Sequence, residues 1–102
     1  MDYLVIEEKR GRFKIFAEIK QLGKDILVIV YGGAVHIGAV GMAQPRASLR
    51  DPEKVSATSS AFTYVGHKED AVVKTMSEEI AKRLNKKVVV VAGMHWDALS
   101  MK

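Results

Sequence analysis

Residues His67–Gly93 read HKEDAVVKTMSEEIAKRLNKKVVVVAG, and this stretch decides the fold class. Val72, Met76, Ile80 and Leu84 recur every four residues, and Val73 and Ala81 widen the stripe. That is the spacing of a helix with one buried face. Glu69 and Asp70 fall in its first turn, Lys82 and Arg83 in its last, and both placements suit the helix dipole. The pattern predicts a helix from about His67 to Asn85, with Asn85 as its stop. Lys86-Lys87 then leads into Val88–Ala92, apolar at every position, which predicts a strand covered on both faces. Gly93 ends that strand. Met94–Lys102 is a short tail expected to form one helical turn.

Before the helix, the chain reads as strands. Tyr3–Lys9 is the first, and Gly11 turns it. Phe13, Ile15, Ala17 and Ile19 alternate with Arg12, Lys14, Phe16, Glu18 and Lys20, the period of a strand with one wet face. Phe16 breaks the polar side and is a candidate for contact with a partner. Gly23-Lys24-Asp25 is the next turn, and Ile26–Tyr31 is apolar throughout, so covered on both faces. Gly32-Gly33 signals a hairpin, followed by a strand over Val35–Ala43. Gly38 and Gly41 inside that strand mark a bulge or the close approach of another group. Residues 44 to 57 read as a long loop, of a length that tends to be functional or disordered. Thr58–Val65 is a strand. The expectation is one α+β domain over residues 1–102: a mostly antiparallel sheet, meander or sandwich-like, with one long helix and a short C-terminal helix.

The bulk properties exclude several classes. With no cysteine, neither a disulfide framework nor thiolate chemistry is possible. No basic segment precedes a long apolar one, and no apolar run spans a bilayer, so the expected setting is the cytoplasm, without membrane. The net charge of +4 is spread along the chain rather than concentrated, which argues against nucleic acid as partner. Few Asn and Gln beside many Lys and Glu point to a heat-adapted source. A domain this small buries a modest core and gains from self-association.

No nucleophile elbow, phosphate loop or dinucleotide fingerprint is present. The pairs Glu7-Glu8 and Glu78-Glu79 are neighbours in sequence, so their side chains diverge. No catalytic residue is therefore assigned. His36, His67 and His95 each lie within two residues of a glycine, where backbone can approach a ligand. Three histidines near turns are also what chance produces. They lack metal-ligand spacing, so no metal site is assigned. Asp97 either orients His95 or caps the terminal helix. Gly66-His67-Lys68 opens the long helix and would favour an anion, with the hydroxyls of Thr58 and Ser59 as further donors. Arg46 and Arg50 would clamp an anionic group, or are plain surface charges.

Several of these segments, taken in order, resemble a known family. They are Gly32-Gly33, His36-Ile37-Gly38-Ala39-Val40, Pro45–Pro52, Ser56–Ser60, Gly66–Asp70 and Gly93–Asp97. The series looks like that of the LpdD-like domain, small proteins encoded with UbiD-type decarboxylases and regarded as chaperones of prenylated flavin. The same fold is similar to the proteasome-assembling chaperones, with archaeal homologues. The resemblance implies a non-catalytic, oligomeric chaperone or carrier. It makes His36, Arg46, Ser48, Asp51, Thr58, Ser59, Gly66, His67, Lys68, His95 and Asp97 the candidate functional face. The chain ends Leu99-Ser100-Met101-Lys102, without the hydrophobic-Tyr-any ending by which some proteasome chaperones dock.

The first expectation is an assembly chaperone that binds itself and proteasome subunits, through an apolar patch including Phe16, Trp96 and Met101. It requires no cofactor. The alternative is a carrier of prenylated flavin mononucleotide, or another phosphate-bearing ligand, serving a UbiD-type decarboxylase. A metal-dependent enzyme is the third.

Overall fold

The computed structural model describes residues 3–11, 13–33, 36–64 and 70–95. They form strands β1 (Tyr3–Arg10), β2 (Phe13–Leu22), β3 (Asp25–Gly33), β4 (Ala39–Ala47) and β5 (Val55–Thr63), helix α1 (Asp70–Leu84) and strand β6 (Val88–His95). The strands make one sheet in the order β1-β2-β3-β6-β4-β5. Every pairing is antiparallel except β3 with β6. The class is α+β, and β1–β3 is the expected meander. The second layer is a helix rather than a second sheet. The expected C-terminal helix, with Trp96, Asp97 and Met101, lies outside the described residues, as do Gly66, His67 and Lys68.

Strand alternation and register sort the sheet into two faces. Ile26, Val28 and Val30 of β3, Val88, Val90 and Ala92 of β6, and Ala39 and Ala43 of β4 are buried together with Val73 and Ala81 of α1. The helix packs on β4, β5 and β6. Its approach depends on Gly41, where an added Cβ would lie 2.5 Å from the carbonyl oxygen of Val73. The close passage expected at a strand glycine is thus realised here. It also rotates the helix relative to the sequence pattern. Val73, Ser77 and Ala81 are fully buried, while Val72 and Leu84 are exposed. Small side chains sit at the centre because the glycine brings the backbones together. Ser77 keeps its hydroxyl satisfied by donating to the Lys74 carbonyl at 3.1 Å. Asn85 ends the helix in the left-handed region, φ 55°, as the sequence predicts.

Two boundaries differ from expectation. Gly32-Gly33 is no hairpin, because β6 is inserted between β3 and β4. The connection from β3 must cross the end of β6 instead. The 44–57 segment is strand at both ends: β4 continues to Ala47 and β5 begins at Val55. Pro45 is tolerated because Ala39↔Thr63 and Pro45↔Ala57 share parity, and Tyr64 N–H donates outside the first pair, to Gly38 O at 2.9 Å. Pro45↔Ala57 is therefore a pair without mutual hydrogen bonds, and the Pro45 nitrogen faces away from β5. On that side β6 pairing ends at Ala43↔Val88, so no ladder bond is lost.

Candidate functional site

The helix covers one face of the sheet. The other face carries Leu27, Ile29 and Tyr31 of β3, Val89 and Val91 of β6, Val40 and Met42 of β4, and Ser60 and Phe62 of β5 by register. No helix among the described residues covers it. The apolar runs at 26–31 and 88–92 are thus sealed on one side only, and Leu27, Ile29, Val89 and Val91 are half-buried.

A trough of about 480 Å³ opens on this face, at the end where β6 begins. That is within the roughly 300–1,000 Å³ of ligand pockets. Its floor is the row Leu27–Val89–Met42–Ser60, one residue from each of four adjacent strands. The next row outward supplies a polar rim of Asp25, Lys87, Gln44 and Thr58. Lys87 Nζ lies 3.7 Å from Asp25 Oδ2. Arg46 stands beyond Gln44 on the same face. Its Nε donates to Thr58 Oγ1 at 2.8 Å and its Nη1 to the Ala47 carbonyl at 3.1 Å. Of the sequence candidates, Thr58 lines the trough, and Arg46 is bonded to it from beyond the rim. The turns at this end carry Lys24, Arg50, Lys54 and Lys86 against Asp51 and Glu53, so the trough opens into positive potential.

Ser48 and Asp51 lie at the same end but build the β4–β5 turn. Ser48 Oγ accepts from the backbone N–H groups of Arg50 and Asp51 at 3.2 and 3.4 Å. Asp51 Oδ1 accepts from Glu53 N–H at 3.1 Å. These are local side-chain-to-backbone bonds of the kind that hold turns. Ser59 points to the helix face. Its hydroxyl donates to Glu78 Oε2 at 2.5 Å, and Lys74 Nζ donates to both Ser59 Oγ and Glu78 Oε2 at 2.8 Å. The Lys74 hydrogen bond, then that of Ser59, holds the Glu78 carboxyl below its usual range. Ser59 therefore meets the trough through its backbone.

Of the remaining candidates, His36 and His95 sit at the opposite end of the sheet. From Ala39 to Arg46 is seven residues of strand, roughly 23 Å at ~3.3 Å per residue. Here the β3–β4 connection passes over β6. An added Cβ on Gly93 would lie 1.6 Å from the His36 carbonyl oxygen, and Gly38 N–H donates to Ala92 O at 2.9 Å. The two glycine-flanked histidine segments are thus one structural feature, with His95 paired to Gly33. Tyr64 N–H donates to Gly38 O at this end. The candidates among the described residues divide into two groups, one at each end of the sheet. Among the described residues no three His, Asp or Glu side chains are grouped to hold a metal.

Phe16 is half-buried, stacked on Tyr31 with centroids 5.3 Å apart and planes at 18°. Tyr31 donates to Glu18 at 2.6 Å. Its break in the polar alternation is therefore answered within the chain. The trough floor, Leu27, Met42 and Val89, was missed by sequence reasoning. The signal was there in strands apolar on both faces beside a single helix.

With this geometry in view, comparison with protein families matches residues 9–102 to one described as the prenylated flavin chaperone LpdD-like domain. Comparison with curated proteins finds no match.

Proposed function

The chain belongs to the LpdD-like prenylated flavin chaperone domain family, and from that premise we propose that it is a non-catalytic chaperone that holds a prenylated flavin mononucleotide for a UbiD-type decarboxylase. The observation that carries the reading is the trough on the helix-free face: a largely apolar floor for a ring system and a polar rim that includes Lys87, open to solvent. An open site suits a carrier, which must release its cargo. A cofactor-using enzyme would enclose it to exclude water. The residues present fit the flavin: Leu27, Met42 and Val89 would lie against the ring, and the hydroxyls of Thr58 and Ser60 would meet its polar edge. The sequence put proteasome assembly first and flavin second. The family description favours the reverse order. Self-association belongs to the same proposal, through β1, an edge strand with Leu4, Val5 and Ile6 exposed.

The test is transfer. Flavin-loaded protein is mixed with an apo decarboxylase of the UbiD type, and the rate of holoenzyme formation is compared with that from free flavin at equal concentration. Faster or protected loading supports the proposal. Equal rates, with no flavin retained by the protein on gel filtration, reject it.

A further inference from the structure

The trough carries its charged groups at one end only. Leu27, Met42 and Val89 make the floor, and every charged side chain near it lies on the outward side. Two of these are cations, on the neighbouring segments that lead into β6 and out along β4. Lys87 precedes β6 and shares its row with Asp25, Gln44 and Thr58. Arg46 lies one row further out on β4, on the same face, diagonal to Thr58 in the β4–β5 register. Diagonal neighbours on a sheet face stand about 7–8 Å apart, within reach of long side chains. The Arg46 guanidinium does not sweep free: Nε is held by Thr58 Oγ1 at 2.8 Å and Nη1 by Ala47 O at 3.1 Å. A tethered guanidinium loses little entropy when it meets an anion. Lys87 faces Asp25 at 3.7 Å, an exposed pair loose enough to exchange partners.

We infer that Arg46 and Lys87, with Gln44 and Thr58 beside them, form a subsite for the phosphate monoester of a ligand whose apolar body lies on Leu27, Met42 and Val89. The inference rests on the flavin-chaperone reading for the identity of that body, and on geometry alone for its orientation. The anion faces outward, at the basic end, and the ring points along the strands toward the middle of the sheet. The phosphate is thus the group a decarboxylase meets first, and withdrawing it past Lys87 and Arg46 releases the whole ligand. His36 and His95, at the far end, take no part in holding the phosphate.

The test titrates flavin mononucleotide and riboflavin, which lacks the phosphate, into wild-type protein and into Arg46→Ala and Lys87→Ala, with 1-naphthyl phosphate as a probe unrelated to flavin. Circular dichroism confirms that each variant is folded. Wild-type protein is expected to bind the mononucleotide about tenfold more tightly than riboflavin, the order of one charge-assisted hydrogen bond. Each variant should lose that preference while its riboflavin affinity stays unchanged. Equal affinity for both flavins in wild-type protein, or variants that weaken both alike, overturns the subsite and leaves the flavin reading standing. Binding of 1-naphthyl phosphate alone, lost in Arg46→Ala, supports the subsite and rejects the flavin. Failure of every probe to bind overturns both.

Discussion

Replacing Gly41 with alanine tests the packing on which the whole two-layer arrangement depends. The new Cβ would lie 2.5 Å from the Val73 carbonyl oxygen, 2.6 Å from its carbonyl carbon and 2.9 Å from its Cβ. Ordinary contact begins at 3.4 Å, so α1 must retreat from β4 by about 0.9 Å. The obstruction is backbone, which cannot rotate aside as a flexible side chain would. Val73, Ser77 and Ala81, all fully buried, move with the helix and lose contact with Ala39 and Ala43. Overpacking of this kind costs about 1–3 kcal/mol. For a domain of this size that is a fall in melting temperature of very roughly 5–20 °C. The assay is urea and thermal unfolding followed by circular dichroism, with Gly23→Ala as control. Gly23 has φ 65° and nothing within 4 Å of an added Cβ, so its variant carries only left-handed backbone strain of about 1 kcal/mol. Gly41→Ala within about 0.5 kcal/mol of wild type, the range of an ordinary surface substitution, would refute the packing argument.

Gly93→Ala should be at least as damaging, because its Cβ would overlap the His36 carbonyl, and hydrogen exchange should show protection lost first around residues 36–38. Val5→Lys on the β1 edge should lower the mass measured by light scattering without altering the circular dichroism spectrum, and unchanged mass would remove β1 from the self-association surface. The carboxyls of Glu78 and Glu79 are both held below the ordinary glutamate range, Glu78 by its hydrogen bonds to Lys74 and Ser59, Glu79 by Lys82 and then Arg83. A depressed folded pKa stabilises above the unfolded value and is lost as pH falls through the folded one, so stability should drop below about pH 4.5. Glu78→Gln should flatten that acid limb in pH-dependent unfolding, and an unaltered slope would contradict the assignment. Phe16→Ala should cost about 0.5–1.5 kcal/mol for the lost Tyr31 stack beyond its buried area.

How much was legible varied with how local the cause was. The helix, its Asn85 stop and the turns at Gly11 and Gly23 follow from neighbouring residues, and the sequence predicts each. The Val72–Leu84 stripe misplaces the helix face, because its orientation is set by Gly41, thirty residues away. The Gly32-Gly33 hairpin fails for a similar reason: β6, the last strand, inserts between β3 and β4, and nothing local announces it. Pro45 makes residues 44–57 look like loop, yet its nitrogen faces the β6 side, where pairing has already ended at Ala43. Among site residues, Arg46 and Thr58, picked as anion-binding side chains, meet at 2.8 Å, while Ser48 and Asp51, which the family resemblance implied, hold a turn. The trough floor consists of Leu, Met and Val, which no motif marks. It emerges only once one helix is seen to leave half of two apolar strands uncovered.

The most direct test of the account is to map where prenylated flavin mononucleotide binds, by titrating it into isotope-labelled protein and following amide shifts. The account predicts shifts at Leu27, Met42, Gln44, Thr58, Ser60, Lys87 and Val89, saturating together, with Arg46→Ala weakening them. Shifts confined to residues 36–38 and 93–95, or none at saturating flavin, would contradict it.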